Sequence, residues 1–176
     1  MFREFFELVE AKFSLEMLDD IIEESNLPSG GVYSSAGTYD HQEIVTVLVK
    51  LSERTGISVP DLLKTFGEHL IPVFQGKFPA FFDEHTEPLT FLESVDGYVH
   101  IEVRKLYPDA ELPRFFCSRK DSHNLDMDYY SSRHLEDLAE GLISGALNYF
   151  GAAGEITRSE VEQDGMRGTR FSIRLH

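Results

Sequence analysis

The stretch "NLDMDYYSSRH", residues 124–134, sets the first constraint on the fold. Apolar and polar residues alternate along it. The spacing predicts a strand with Leu125, Met127, Tyr129, Ser131 and Arg133 on one face. That face begins greasy and ends in a phenol, a hydroxyl and a guanidinium. Such a row has two readings. It is the wet face of a half-exposed antiparallel sheet, which is the commoner arrangement, or it is the polar lip of an apolar wall.

Working outward, "LPRFF" (112–116) reads as a neighbouring strand, and a helix is predicted from about Glu136 to Phe150. "EITRSEVEQ" (155–163) and "TRFSIRLH" (169–176) flank "DG" at 164–165, a hairpin signal. Upstream, "LTFLESVDGYVHIEVRKLY" (89–107) is a helix stopped by Pro108, with Leu92, Val95, Val99, Val103 and Leu106 in one apolar stripe and His100 at its border. Gly97 costs that helix about 1 kcal/mol against alanine, so it is expected to loosen there.

The first seventy-odd residues read as helices. Phe2, Phe5, Phe6, Val9 and Phe13 recur at helical spacing, and Ser14 is placed to cap a second helix carrying Leu15, Leu18, Ile21 and Ile22. A turn-rich loop, "NLPSGGVYSSAGTY", follows. Asp40 and Glu43 then have the spacing of a capping box, opening a helix that Gly56 closes. Ser58 caps another, whose end Pro72 should distort. The expectation is one α/β domain of the α+β kind over 1–176. Residues 1–75 would form a helical lobe, and 76–176 a lobe in which helices pack on a small antiparallel sheet.

Charge narrows the partners. Sixteen Lys and Arg against 31 Asp and Glu leave −15, which argues against nucleic acid or an anionic membrane. Cys117 is the one cysteine, so neither a disulfide nor a cysteine zinc site is expected. "MFREFFELVEAKF" is too charged for a signal peptide, and no apolar run approaches the roughly 20 residues of a membrane span. The cytosol is the expected setting. Fourteen phenylalanines and seven tyrosines hint at a roomy aromatic interior.

Two acid–histidine pairs, Asp83 with His85 and Asp121 with His123, lack any accompanying nucleophile elbow or zinc helix and read as solvated. His100 differs, because a neutral imidazole on an apolar helix can coordinate metal. Taken alone it reads as a half-buried core histidine. Taken with the strand lip it reads otherwise. A planar apolar ligand with two carboxylates needs one axial histidine, an aromatic cavity and a lip bearing a guanidinium and hydroxyls. That ligand is haem, and a single proximal histidine suits gas binding.

Tyr129, Ser131 and Arg133, as Y-x-S-x-R, resemble the propionate-binding motif of the H-NOX family, the haem nitric oxide/oxygen-binding domains. "DGYVHIEVRKLYPDAELPRF" is similar to that family's proximal segment, and "LPSGGVYSSAGTYDHQE" and "LAEGLISGAL" also match, so the resemblance covers nearly the whole chain. It implies haem b held between a distal helical lobe and a proximal lobe, with His100 as axial ligand of a five-coordinate ferrous iron. Tyr129, Ser131 and Arg133 would hold the propionates, and Pro113 would press on the porphyrin.

The resemblance also implies a non-catalytic sensor of nitric oxide that takes up carbon monoxide, in which gas binding frees His100 and shifts the lobes. Oxygen-binding members carry a distal tyrosine at the position of Leu138 and can carry an asparagine at that of Leu70. Here Leu138, Leu142, Leu70 and Phe74 make the distal pocket apolar. Met1 and Phe5 stand at the distal wall, where the family's short M-K-G opening is absent. Related domains are fused to cyclase or chemotaxis modules. Signalling here is expected to pass to a separate protein, a histidine kinase or a cyclic-di-GMP enzyme. Two rivals stay open: a module of the same fold holding another apolar molecule, and a small enzyme using His85 or His123.

Overall fold

The computed structural model describes residues 2–33, 39–106, 108 and 110–176. The chain opens with α1 (Phe2–Lys12) and α2 (Leu15–Ser25), between which Ser14 accepts a hydrogen bond from the Met17 N–H at 3.0 Å. Asp40 caps α3 (His41–Thr55) by accepting from the Gln42 N–H at 2.9 Å, and Gly56 closes that helix at φ 73°. The expected capping box is not completed. Glu43 is buried, and its carboxylate accepts instead from the Ser29 hydroxyl and, at 2.7 Å, from the Tyr33 phenol. The acid thereby pins the glycine-rich loop onto α3, which satisfies a charge that burial would otherwise penalise.

Ser58 starts α4 (Val59–Lys77). Pro72 does not end it. The helix runs on to Lys77 and closes with the Phe78 N–H on the Phe74 carbonyl at 2.7 Å. Flanking apolar side chains outweigh the lost backbone bond: Ile71 is buried in one core, and Phe74 packs against two.

After the short α5 (Ala80–Asp83) come α6 (Pro88–Ser94), a π-helical stretch over Val95–Val99, and α7 (His100–Leu106) as one continuous rod. The loosening expected at Gly97 takes the form of that π-helical stretch. Leu92 is buried and Val95, Val99 and Val103 half-buried, but Leu106, at the end of the rod, is exposed. The remaining elements are β1 (Arg114–Arg119), β2 (Asn124–Tyr130), α8 (Glu136–Tyr149), β3 (Gly154–Gln163) and β4 (Met166–Leu175). The four strands form an antiparallel sheet in the order β1-β2-β4-β3, and the β3–β4 hairpin turns on Asp164 and Gly165, both at positive φ.

The strand predicted through Arg133 stops at Tyr130; Ser131 to Arg133 lie in the turn that leads into α8. The inward face is as expected, with Leu125, Met127 and Tyr129 all at most 3% exposed. The outward face is buried too. Asp128 takes both guanidinium donors of Arg170, at 2.6 and 2.8 Å, and Asp126 accepts from Ser172 at 2.7 Å.

Two apolar cores result. One lies among α1 to α4 and includes Leu138 of α8; the other lies among α5, α6, α8 and the sheet and includes Ile71 of α4. Phe74 and Leu142 touch both. The cores therefore meet along the pair α4 and α8. Among the described residues, no helix is long and apolar enough to cross a membrane.

Candidate haem-binding site

His100 is the first residue of α7, and its N–H bonds the Val95 carbonyl five residues back, closing the π turn. The imidazole is nearly enclosed, its side chain 12% exposed. Its Nδ1 is buried without a hydrogen-bond partner, and the nearest carboxylate oxygen, Asp96 Oδ1, stands at 3.7 Å, beyond bonding reach. Burial pushes its pKa below the ordinary histidine value; Arg104 acts in the same direction, Asp96 and the Pro113 backbone oppose it. The balance favours the neutral imidazole, the form that ligates metal.

The wall continues through Phe115. Its ring centroid lies 5.8 Å from that of His100 and 5.4 Å from that of Tyr129. Phe115 and Tyr129 are paired across β1 and β2, so the sheet register brings the histidine rod close to Tyr129, at the start of the Y-x-S-x-R segment. Tyr129 is 3% exposed, and burial raises the pKa of its phenol, against the opposing effects of hydrogen bonding with Ser131 and the Leu135 backbone. The Ser131 hydroxyl accepts from the Arg133 N–H at 3.1 Å, shaping the turn.

The Arg133 guanidinium is half-exposed and donates from Nη2 and Nε to Glu111 Oε2 at 3.1 and 3.3 Å. The Glu111 carboxylate stands in for the kind of group a propionate presents. Pro113 lies in the segment between α7 and β1, beside the histidine. Half-buried Val95, Val99 and Val103 lie on the same rod as His100, and Phe74 and Leu142 lie between the cores.

Leu70 and Leu138 are buried within the first core, as is Phe5, whose ring meets Phe66 at 5.2 Å. Of the four expected pocket residues, Leu142 and Phe74 are the pair at the junction of the cores. Met1 lies outside the described residues. The two acid–histidine pairs stand apart from this surface. Asp121 accepts from the His123 N–H at 2.8 Å and from the Asn124 amide, which makes it a turn cap. His85 rests edge-on against Phe91. A cavity of about 440 Å³ opens between α4, α8 and the start of β3, and none of the expected site residues lines it.

Three participants were missed in the sequence. Asp96 sits one turn before His100, a spacing that could have drawn attention. Phe115 and Glu111 carry no such signal, because strand pairing and a loop bring them in.

A family model described as Haem-NO-binding matches residues 1–158. The chain belongs to the H-NOX family. The Fe(II) unliganded H-NOX protein from K. algicida is 40% identical, with a TM-score of 0.91 over 99% of this chain and 94% of that one. The H-NOX protein from S. oneidensis in the Fe(II)NO ligation state, at 23% identity, shares the fold with a TM-score of 0.90 over 99% and 97%. So does the I5F mutant of T. tengcongensis H-NOX, at 22% identity and 0.87 over 99% and 94%. Among curated proteins the chain has no match. H-NOX domains are haem-binding gas sensors, and this chain has their mixed α/β architecture.

Proposed function

We propose that this H-NOX protein senses nitric oxide through haem b and passes the signal to a separate protein without catalysing a reaction. The observation that supports the reading is the enclosed imidazole of His100, linked through the Phe115 ring to Tyr129, the first residue of the Tyr129–Ser131–Arg133 row. When bound, haem supplies a ferrous iron with one face open to a diatomic gas. His100 would hold that iron. Arg133, which now pairs with Glu111, would hold a propionate carboxylate, with the Tyr129 and Ser131 hydroxyls as neutral donors beside it, and Pro113 would lie against the ring.

The gas side is apolar. Leu70, Phe74, Leu138 and Leu142 offer no hydrogen-bond donor, which disfavours dioxygen, whose bound form develops negative charge. Nitric oxide and carbon monoxide do not need a donor. In this reading residues 1–75 form the distal lobe and 76–176 the proximal lobe of a single cytosolic domain. Release of His100 would let its rod shift, and the lobes would adjust about α4 and α8. Such a shift is a two-state element biased by ligand. Its reader is a histidine kinase or a cyclic-di-GMP enzyme. Absorbance spectra of the purified, haem-supplemented protein test the proposal. A strong Soret band that moves with nitric oxide and carbon monoxide but not with air is expected; no Soret band after supplementation overturns it.

A further inference from the structure

We infer that Asp96 is the positioning residue of the axial histidine, facing the His100 imidazole from behind while itself anchored to the edge of the sheet. The inference rests on the reading of His100 as axial ligand.

Three features place Asp96 there. First, β1 is an edge strand, paired among the described residues with β2 alone, and the Phe115 N–H donates to Asp96 Oδ1 at 3.1 Å. Edge-strand amides otherwise stay open to solvent or to other chains. Second, the same oxygen lies 3.7 Å from His100 Nδ1, a buried nitrogen with no hydrogen-bond partner. Third, the turn between the two residues is π-helical, and that stretch packs against β1. π-Helical turns are rare and cluster at functional sites. Gly97 leaves space beside the turn, since a Cβ there would meet nothing within 4 Å.

The chemistry is that of a carboxylate behind a ligating imidazole. A histidine that binds metal through Nε2 carries its proton on Nδ1, and an acceptor behind that proton fixes the tautomer and raises ligand basicity. Asp96 is shared. Its oxygen is held by Phe115, so it stands off from the imidazole and orients it without gripping it. That distance suits a histidine that must be released on signalling: a full hydrogen bond would strengthen the bond to iron and oppose release. Loss of such an outer partner typically costs 10–100-fold in metal affinity, and a stand-off acceptor belongs near ten.

The test separates positioning from a purely structural tether. Asp96→Asn keeps an oxygen to accept from the Phe115 N–H but removes the charge facing Nδ1. In the haem-loaded ferrous protein the iron–histidine stretching band should move to lower frequency, and haem should leave about tenfold faster. Melting of the apoprotein should stay unchanged. An unmoved band overturns the inference, whether or not apoprotein melting falls. A second measurement needs no variant and no haem. Long-range ¹H–¹⁵N spectra of wild-type apoprotein at pH 8 should show His100 mainly as the Nδ1–H tautomer, and a dominant Nε2–H tautomer overturns the assignment. If the wild type binds no haem, or binds it without an iron–histidine band, the sensor reading has failed, and the tautomer compared between wild-type and Asp96→Asn apoproteins still decides the role of Asp96, since the Pro113 backbone also faces the imidazole.

Discussion

Gly67 and Gly141 interlock backbone against backbone where α4 crosses α8. A Cβ on Gly67 would overlap the Leu138 carbonyl, and one on Gly141 the Lys64 carbonyl. Gly145, one turn on, lies over Glu68 and Ile71. The same two helices carry Leu70, Phe74, Leu138 and Leu142, so this crossing sets how closely the two cores approach.

Gly141→Ala should therefore destabilise the protein although alanine is the better helix former. The propensity gain is about 1 kcal/mol. Overpacking costs about 1–3 kcal/mol, and the obstacle here is backbone, which cannot rotate away. The balance is a net loss of up to about 2 kcal/mol, which corresponds to up to about 8 °C in Tm for a chain of this size. Differential scanning calorimetry checks it; an unchanged or raised Tm would show that the crossing can open without cost.

His100→Gly should remove the protein's bond to iron. Haem should then be lost on gel filtration, or be retained only with added imidazole. A wild-type ferrous spectrum in the variant without imidazole would assign the iron to another histidine.

At the lip, the competing partner matters. A charge-assisted hydrogen bond is worth roughly 1.5–3 kcal/mol, whereas the exposed Arg133–Glu111 pair it replaces is worth about 0–1 kcal/mol. Arg133→Ala should speed haem transfer to a scavenger about ten- to a hundredfold. Tyr129→Phe, which removes one neutral donor, should do less. Glu111→Gln should slow transfer a few-fold, by about 0–1 kcal/mol of relieved competition. Equal rates for wild type and Arg133→Ala would dispose of the propionate role.

Gas choice rests on Leu138 and Leu142. Leu138→Tyr should introduce a donor and move the reduced protein toward reversible oxygen binding, read as an air-dependent Soret shift absent from the wild type. Air-induced oxygen binding by the wild type itself would overturn the assignment to nitric oxide.

The outward face of β2 predicts a pH dependence. Burial acts to raise the pKa of Asp126, but hydrogen bonds from Lys120 and Ser172 outweigh it and leave the carboxyl below its ordinary value. A depressed folded pKa means stabilisation that is complete above the unfolded pKa of about 3.9 and lost as pH falls through the folded value. Asp126→Asn should flatten the acid limb of a stability-against-pH curve below about pH 4. An unchanged acid limb would mean that the carboxyl titrates alike in both states.

Much of this was legible in the chain itself, because local chemistry determines it. Ser14, Asp40, Gly56 and Ser58 mark helix ends, since caps act within one turn. "DG" marks the hairpin, and the 3.6- and 2-residue periods separate helix from strand. His100 and the Tyr129–Ser131–Arg133 row could be singled out for the same reason: each is a short-range pattern. What the sequence left undetermined depends on distance through space. The strand ends at Tyr130 because the chain turns there into α8. α4 runs on past Pro72 to Lys77 because Ile71 is buried in one core and Phe74 packs against both. Glu43 abandons its capping box for Ser29 and Tyr33 because the loop folds back over it. Asp96 meets Phe115 and His100 only when an edge strand is laid against a π-helical turn. Periodicity reports which face of an element is apolar; only tertiary packing decides what that face meets.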